Sequence, residues 1–290
     1  MKWVIIAVLT VLAIGVFIVA VGWLLPQNHV AVRRARFKQR PEVIWETIAG
    51  PPTWRPDVAS YEMLPEVEGR VQWREVNRQK ESVLFERVEA KAPKRLVTEG
   101  DMGMPGSPKV ATEWSVEALA GGTCLVRVVH SLFASTDDWD NQLDGLEQGW
   151  PTYFRILRMY LERFKGQMCS AMQFVGFSTD SETKAWEKAG GELGLLNVAQ
   201  GQKWSTPDGF PRMTGVVDSL GQGMHSNTLL LRLDTPAPGS AYIGAFTCAG
   251  MVMVCLSVYF YGDKAKAVVK GDEPTWQTWM GERFPMPQMG

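Results

Sequence analysis

Residues 3–25 form a run of 23 residues without a charge, and no other feature constrains the chain as strongly. At 1.5 Å rise per residue, a helix of that length crosses a hydrocarbon core of about 30 Å. Trp3 and Trp23 stand near its two ends, where indole rings favour the headgroup zone, and Pro26 follows as a stop. The competing reading is a cleaved signal peptide, with Lys2 as a minimal basic start and residues 20–22 as a small-x-small triplet. A signal core is about 7–15 residues long, whereas here the apolar run continues through that cut into Trp23, Leu24 and Leu25. The expectation is a retained single-pass anchor over residues 1–26.

Orientation follows from the flanking charges. Lys2 precedes the span, whereas Arg33, Arg34, Arg36, Lys38 and Arg40 crowd the residues after it, and such an excess of basic residues marks the cytoplasmic side. The chain is therefore expected at the cell membrane, with its body in the cytoplasm and anionic lipid headgroups as partners of that basic stretch. The formal net charge is −1, so there is no global basic field for nucleic acid. Cys124, Cys169, Cys248 and Cys255 show no metal or disulfide-rich spacing, and reduced thiols are expected. If residues 249–250 make a tight turn, Cys248 faces Met251 and Cys255 faces Gly244, so those two cannot bridge. About 265 residues remain after the anchor, enough for one large or two ordinary domains.

The stretch 29–39 is extended in character, and Pro41 then opens a short helix, PEVIWETIAG, that Gly50, Pro51 and Pro52 end. Segments 69–77, 82–90, 96–101, 109–119 and 123–133 alternate with period two between turn signals, which predicts a run of antiparallel strands. The strand from Lys109 sets Val110, Thr112, Trp114, Val116 and Ala118 on one face against Ala111, Glu113, Ser115 and Glu117 on the other. From residue 143 to 164 the pattern turns helical, with Leu146, Trp150, Tyr153, Phe154, Leu157, Tyr160, Leu161 and Phe164 at three- and four-residue spacing.

Residues 174–177 lead into a second unit. A short helix is predicted over 181–189, strands over 214–218, 228–233, 240–247 and 251–261, and helices over 263–270 and 274–284. The two halves read as tandem copies of one plan, the second shortened. The predicted class is α+β: an N-terminal transmembrane helix, then two tandem helix-grip domains, 27–166 and 167–290, each a curved antiparallel sheet around a long C-terminal helix.

The strand RRARFKQ, the segments PEVIWETI, TWRPDV and GRVQWREV, and the last helix beginning EQGWPTYFRILRMYLERF together resemble the SRPBCC superfamily. It comprises the START and Bet v 1-like helix-grip proteins, polyketide cyclases and the Aha1 C-terminal domain among others. Pro41, Val43, Ile44 and Trp45 depart by one residue from that family's usual spacing. The second half is similar to Aha1-type members in SETKAWEKAGGELGL and in the ending VYFYGDKAKAVVK followed by TWQTWMGERFP. The resemblance implies an apolar cavity between sheet and helix that takes lipids, sterols, polyketides or similar molecules. Trp73, Phe85, Trp114, Val116, Trp150, Tyr153 and Phe154 are the candidate ligand-binding residues.

Signatures of chemistry are sparse. His29, His130 and His225 lack the i, i+4 spacing of paired metal ligands, and His130, on a strand among apolar neighbours, reads as a hydrogen-bonded structural histidine. There is no G-x-S-x-G elbow or P-loop, and residues 221–225 lack the third glycine of a dinucleotide turn. Asp137, Asp138, Asp140 and Asp144 lack calcium-loop order and suit a helix start. Thr112, Glu86 and Arg74 are polar residues of the patterned segments that could orient a ligand. No catalytic residue, metal or cofactor is assigned. The leading expectation is a membrane-tethered, non-enzymatic module for a lipid or other hydrophobic small molecule. The alternatives are an Aha1-like protein-interaction module, whose protein partner the sequence does not name, and a cyclase-like enzyme.

Overall fold

The computed structural model describes residues 27–50, 54, 58–68, 70–77, 82–100, 109–134, 140–221, 226–248 and 250–286. The apolar segment 3–25 lies outside them, and among the described residues no helix is long and apolar enough to cross a membrane.

The molecule is α+β, built on two antiparallel sheets. Strand β1 (Gln27–Phe37) runs into helix α1 (Pro41–Ile48), and Pro41 suits the first helical turn, where a missing N–H costs nothing. Strands β2 (Val58–Met63), β3 (Gln72–Asn77), β4 (Ser82–Lys91), β5 (Arg95–Gly100), β6 (Val110–Leu119) and β7 (Thr123–Ala134) follow. They form a seven-stranded sheet in the order β1-β7-β6-β5-β4-β3-β2. The period-two reading holds: along β5 the burial alternates strictly, with Leu96, Thr98 and Gly100 turned in. On β6, Trp114 and Val116 are buried, whereas Ala118 at the end of the strand is exposed.

Helix α2 (Asp140–Arg163) then lies against the sheet. The second unit contains β8 (Ser170–Ser178), α3 (Glu182–Glu192), β9 (Lys203–Ser205), β10 (Thr214–Leu220), β11 (Thr228–Thr235), β12 (Gly239–Cys248), β13 (Met251–Phe260) and α4 (Ala265–Arg283). Its six strands pair in the order β8-β13-β12-β11-β10-β9. In the β12–β13 hairpin Cys248 pairs with Met251 and Cys255 with Gly244, the register expected of a tight turn. The two helices expected over 263–270 and 274–284 are one, because Pro274 is accommodated inside α4; a proline removes one ladder bond without having to end the helix.

Layers stack as sheet, α2, sheet, α3 with α4. One core holds α3, α4 and the inner side of the second sheet, with Trp276, Met280 and Phe284 at its centre. The other joins the first sheet and α2 to Ala171, Leu230, Tyr259 and Tyr261 of the second unit. Tyr261 stacks on Phe164 at 4.2 Å and 8° and contacts Tyr160 at 5.9 Å. Covered on both sides, β13 is buried at every residue from Val254 to Phe260. That is why it reads as a continuous apolar run rather than an alternating one.

Candidate functional site

Strand register places three cross-strand rows on the face of the first sheet that meets α2. The innermost row is Leu96, Trp114 and Val128. The next is Arg87, Thr98, Thr112 and His130, four polar residues on four adjacent strands, spanning about 15 Å at the usual strand separation. The outermost is Met63, Trp73, Phe85, Gly100 and Val110. Exposure rises in the same direction. Leu96 and Trp114 are 3% and 7% exposed, Thr98 and His130 9% and 7%, Trp73 and Phe85 are half-buried, and Met63 is 52% exposed. The face is thus closed at one end, polar across the middle and open at the other.

Aromatic rings fill the closed end. Trp150 of α2 meets Trp114 edge-on at 5.1 Å and lies 5.6 Å from Tyr153 and 5.3 Å from Phe154. Trp54 closes on the far side of Trp114 at 6.2 Å, and Phe37 of β1 packs edge-on against Phe154 at 6.0 Å. Centroid separations of this order suit aromatic pairs.

The middle row is held by hydrogen bonds that fix a tautomer. Trp150 Nε1 donates to His130 Nε2 at 2.6 Å. An indole N–H only donates, so Nε2 carries no proton, and the neutral ring places its proton on Nδ1. Nδ1 is 2.9 Å from Thr112 Oγ1 and donates to it. At the other end of the row, Arg87 Nη2 donates to the Ala49 carbonyl at 3.2 Å, while its buried Nε has no acceptor among the described residues. A register shift between Arg87 and Glu89 sits beside it, the type of irregularity that re-aims a side chain at a sheet's working face.

At the open end, Trp73 stacks on Phe85 at 5.6 Å and 13° and donates Nε1 to Glu75 Oε1 at 2.8 Å. Glu75 is 5% exposed. Phe85 lies flat across Gly100, where a Cβ would stand 2.7 Å from its ring.

The seven sequence-derived candidates therefore divide. Trp114, Val116, Trp150, Tyr153 and Phe154 meet at the closed end, and Trp73 and Phe85 form a separate stack beyond the polar row. Of the polar candidates, Thr112 faces inward. Glu86 and Arg74 do not: Glu86 pairs with Arg70 at 2.6 Å and Arg74 with Glu62 at 3.3 Å on the outer face. Phe85 and Glu86 are consecutive on a strand, as are Trp73 and Arg74, so each pair must point oppositely. Glu75 and Arg87, the next residue along in each strand, are polar residues that do face inward. Of the basic residues that follow the apolar run, Arg33 of β1 is half-buried, whereas Arg34 and Arg36 of β1 and Lys38 and Arg40 beyond its end are exposed.

Other reactive groups are muted by their surroundings. Burial pushes the Cys124 thiol up to about 11 and that of Cys255 up to about 12, although a hydrogen bond from Tyr242 opposes the latter. Burial likewise raises the Tyr242 and Tyr261 phenols. Among the described residues, no three His, Cys, Asp or Glu side chains converge as metal ligands. The residues 137–138, 222–225 and 3–25, and the side chains of His29, Asp140 and Asp144, lie outside the description. Two open clefts lie elsewhere. One of about 690 Å³ is lined by Arg163, Arg232, Asp234, Tyr261 and Lys264, and one of about 760 Å³ by Glu192, Asp208, Phe210, Trp279 and Arg283.

No family model matches the sequence, and no curated protein is similar to it. Among solved structures it is similar to the di-domain ARO/CYC StfQ from the steffimycin biosynthetic pathway, at 13% identity. That likeness covers 87% of this chain and 98% of StfQ, with a TM-score of 0.40. It is also similar to the di-domain ARO/CYC BexL, at 13% identity over 89% and 96% of the two chains, with a TM-score of 0.42. A protein of Mesorhizobium loti is 18% identical over 47% of this chain and 99% of its own, with a TM-score of 0.40.

Proposed function

We propose that the chain binds a hydrophobic small molecule, a lipid or an aromatic compound bearing an acceptor oxygen, on the inner face of its first sheet. The observation that carries this reading is the polar row between a closed apolar row and a half-open aromatic one. A ligand site needs apolar walls and a few oriented polar groups. The Trp73–Phe85 stack offers the wall, and the Arg87 Nε offers a donor without an acceptor. A buried, unsatisfied guanidinium N–H is costly, and a ligand oxygen removes that cost. Engagement of both His130 nitrogens supports a binding rather than an acid–base role, so the reading is non-enzymatic. The apolar segment 3–25 acts in this proposal as a membrane anchor, with the body on the cytoplasmic side. Residence at a bilayer raises the effective concentration of an apolar cargo.

Native mass spectrometry of the detergent-purified chain tests the reading, with extraction and identification of what it carries. A bound apolar molecule is expected, and Arg87→Met is expected to lower its occupancy about ten-fold, the loss of one charge-assisted hydrogen bond. Repeated recovery of empty protein, or occupancy that ignores Arg87→Met and Phe85→Ala together, would count against it.

A further inference from the structure

Strand β1 is an edge of the seven-stranded sheet, and its outward residues are basic in succession. Arg34 and Arg36 are exposed and share one face by the period of two, and exposed Lys38 and Arg40 follow just beyond the strand's end at Phe37. Arg34 sits opposite another arginine, Arg127. Arg127 is relieved by Glu113 at 3.3 Å, but Arg34, Arg36 and Lys38 have no ion-pair partner among the described residues. Like charges set side by side on a sheet are destabilising, so a strip of this kind is maintained against a cost.

Helix α2 extends the strip around the edge. Arg158 Nη2 donates to the Arg36 carbonyl at 2.9 Å, and its guanidinium stands 5.4 Å from the centre of the Phe37 ring. Arg155, one turn earlier, lies on the same side of the helix. On the same outer face Glu117 of β6 is exposed, two strands from Arg36 in one cross-strand row through Leu125, and Glu46 of α1 is engaged by Lys165 at 3.0 Å.

We infer that this edge is a docking face for the anionic headgroups of a bilayer. The inference rests on the anchoring proposed above and specifies which face of the body meets the lipid. The occupant is set by continuity in the sequence: only Pro26 separates the apolar run 3–25 from the first residue of β1, and Arg34, the first residue of the strip, follows on that same strand. A bilayer fits better than a nucleic acid, because the chain's net charge of −1 leaves no long-range basic field.

The test uses the full chain in phosphatidylcholine vesicles with and without phosphatidylglycerol. Amide exchange along β1 is expected to be about five-fold slower when phosphatidylglycerol is present, the scale of one basic residue at an anionic surface. High salt, and the triple substitution Arg34→Glu, Arg36→Glu, Lys38→Glu, are expected to abolish the difference. Equal exchange in both vesicles with the chain still anchored would overturn the docking face, as would protection by a DNA duplex and not by the charged lipid. Anchoring is read separately, by alkaline carbonate extraction from the uncharged vesicles. A chain released there refutes the anchor alone; it must still sediment with phosphatidylglycerol vesicles at low salt, or the docking face fails as well.

Discussion

His130 and Gly100 show how single residues shape the inner face. The histidine was legible as a hydrogen-bonded strand residue, but its partners were not: Trp150 lies twenty positions away and is delivered by a helix. The polar row was hidden for a similar reason. Arg87, Thr98, Thr112 and His130 are consecutive neighbours only across strands, and no local pattern reveals register until the turns are fixed. The choice of Glu86 and Arg74 instead of Arg87 and Glu75 missed by one residue in each strand, an error the strict alternation of side chains could have exposed. Gly100 supplies a sharp test. With a Cβ at 2.7 Å from the Phe85 ring, Gly100→Ala must push Phe85 off its seat and open the Trp73 stack. A loss of about 1–3 kcal/mol is expected for such overpacking, measured by urea denaturation, together with a change in tryptophan fluorescence. An unchanged midpoint and spectrum would mean that the ring has somewhere else to go.

At the scale of elements, the strands that alternate were read almost to the residue, from β3 through β7 and again from β10 to β13. Strands β2 and β9 were not, since six and three residues with mixed polarity give too short a sample of a two-residue period. Helix α2 was found by its stripe of apolar residues, but that stripe omitted Ile156 and Met159, which are buried on another side of the same helix. Six of the eight residues from 154 to 161 are buried, the sign of a helix covered on two sides, with Arg155 and Arg158 on the side left open. Its second contact is the Phe164–Tyr261 stack. A double-mutant cycle with Phe164→Leu and Tyr261→Leu is expected to return a coupling of about 0.5–1.5 kcal/mol. A coupling near zero would mean that α2 and the second sheet touch without supporting each other.

Over the whole molecule, the two sheets were legible as two runs of strands, each followed by a long helix. The sharing of α2 between the parts was not, because the contacts that create it join residues about seventy to a hundred positions apart. Shared burial has a titration consequence. Cys124 in the first core and Cys255 on the side of the second sheet facing α2 have thiols held up at about 11 and about 12, against about 8.5 in an unfolded chain. The raised values mean that the fold favours the protonated thiols. Their contribution is intact below about pH 8.5 and is lost as pH rises toward 11 and 12, because the unfolded chain releases those protons first. Urea midpoints should therefore fall between pH 9 and 11 by roughly the same mechanism at both sites, and Cys124→Ala with Cys255→Ala should flatten that slope. A slope identical in the double variant would place the alkaline sensitivity elsewhere.

The enclosure of α2 also limits how it can move. Between residues 154 and 161 the two side chains that keep contact with water are Arg155 and Arg158. Turning the helix by one residue, about 100°, would carry a guanidinium into one core or the other, and burying an unpaired charge costs several kcal/mol. Rotation is therefore closed to it. Translation along the axis and tilting keep both arginines wet, so these are the displacements left to a helix that the two sheets hold like a bolt between rails.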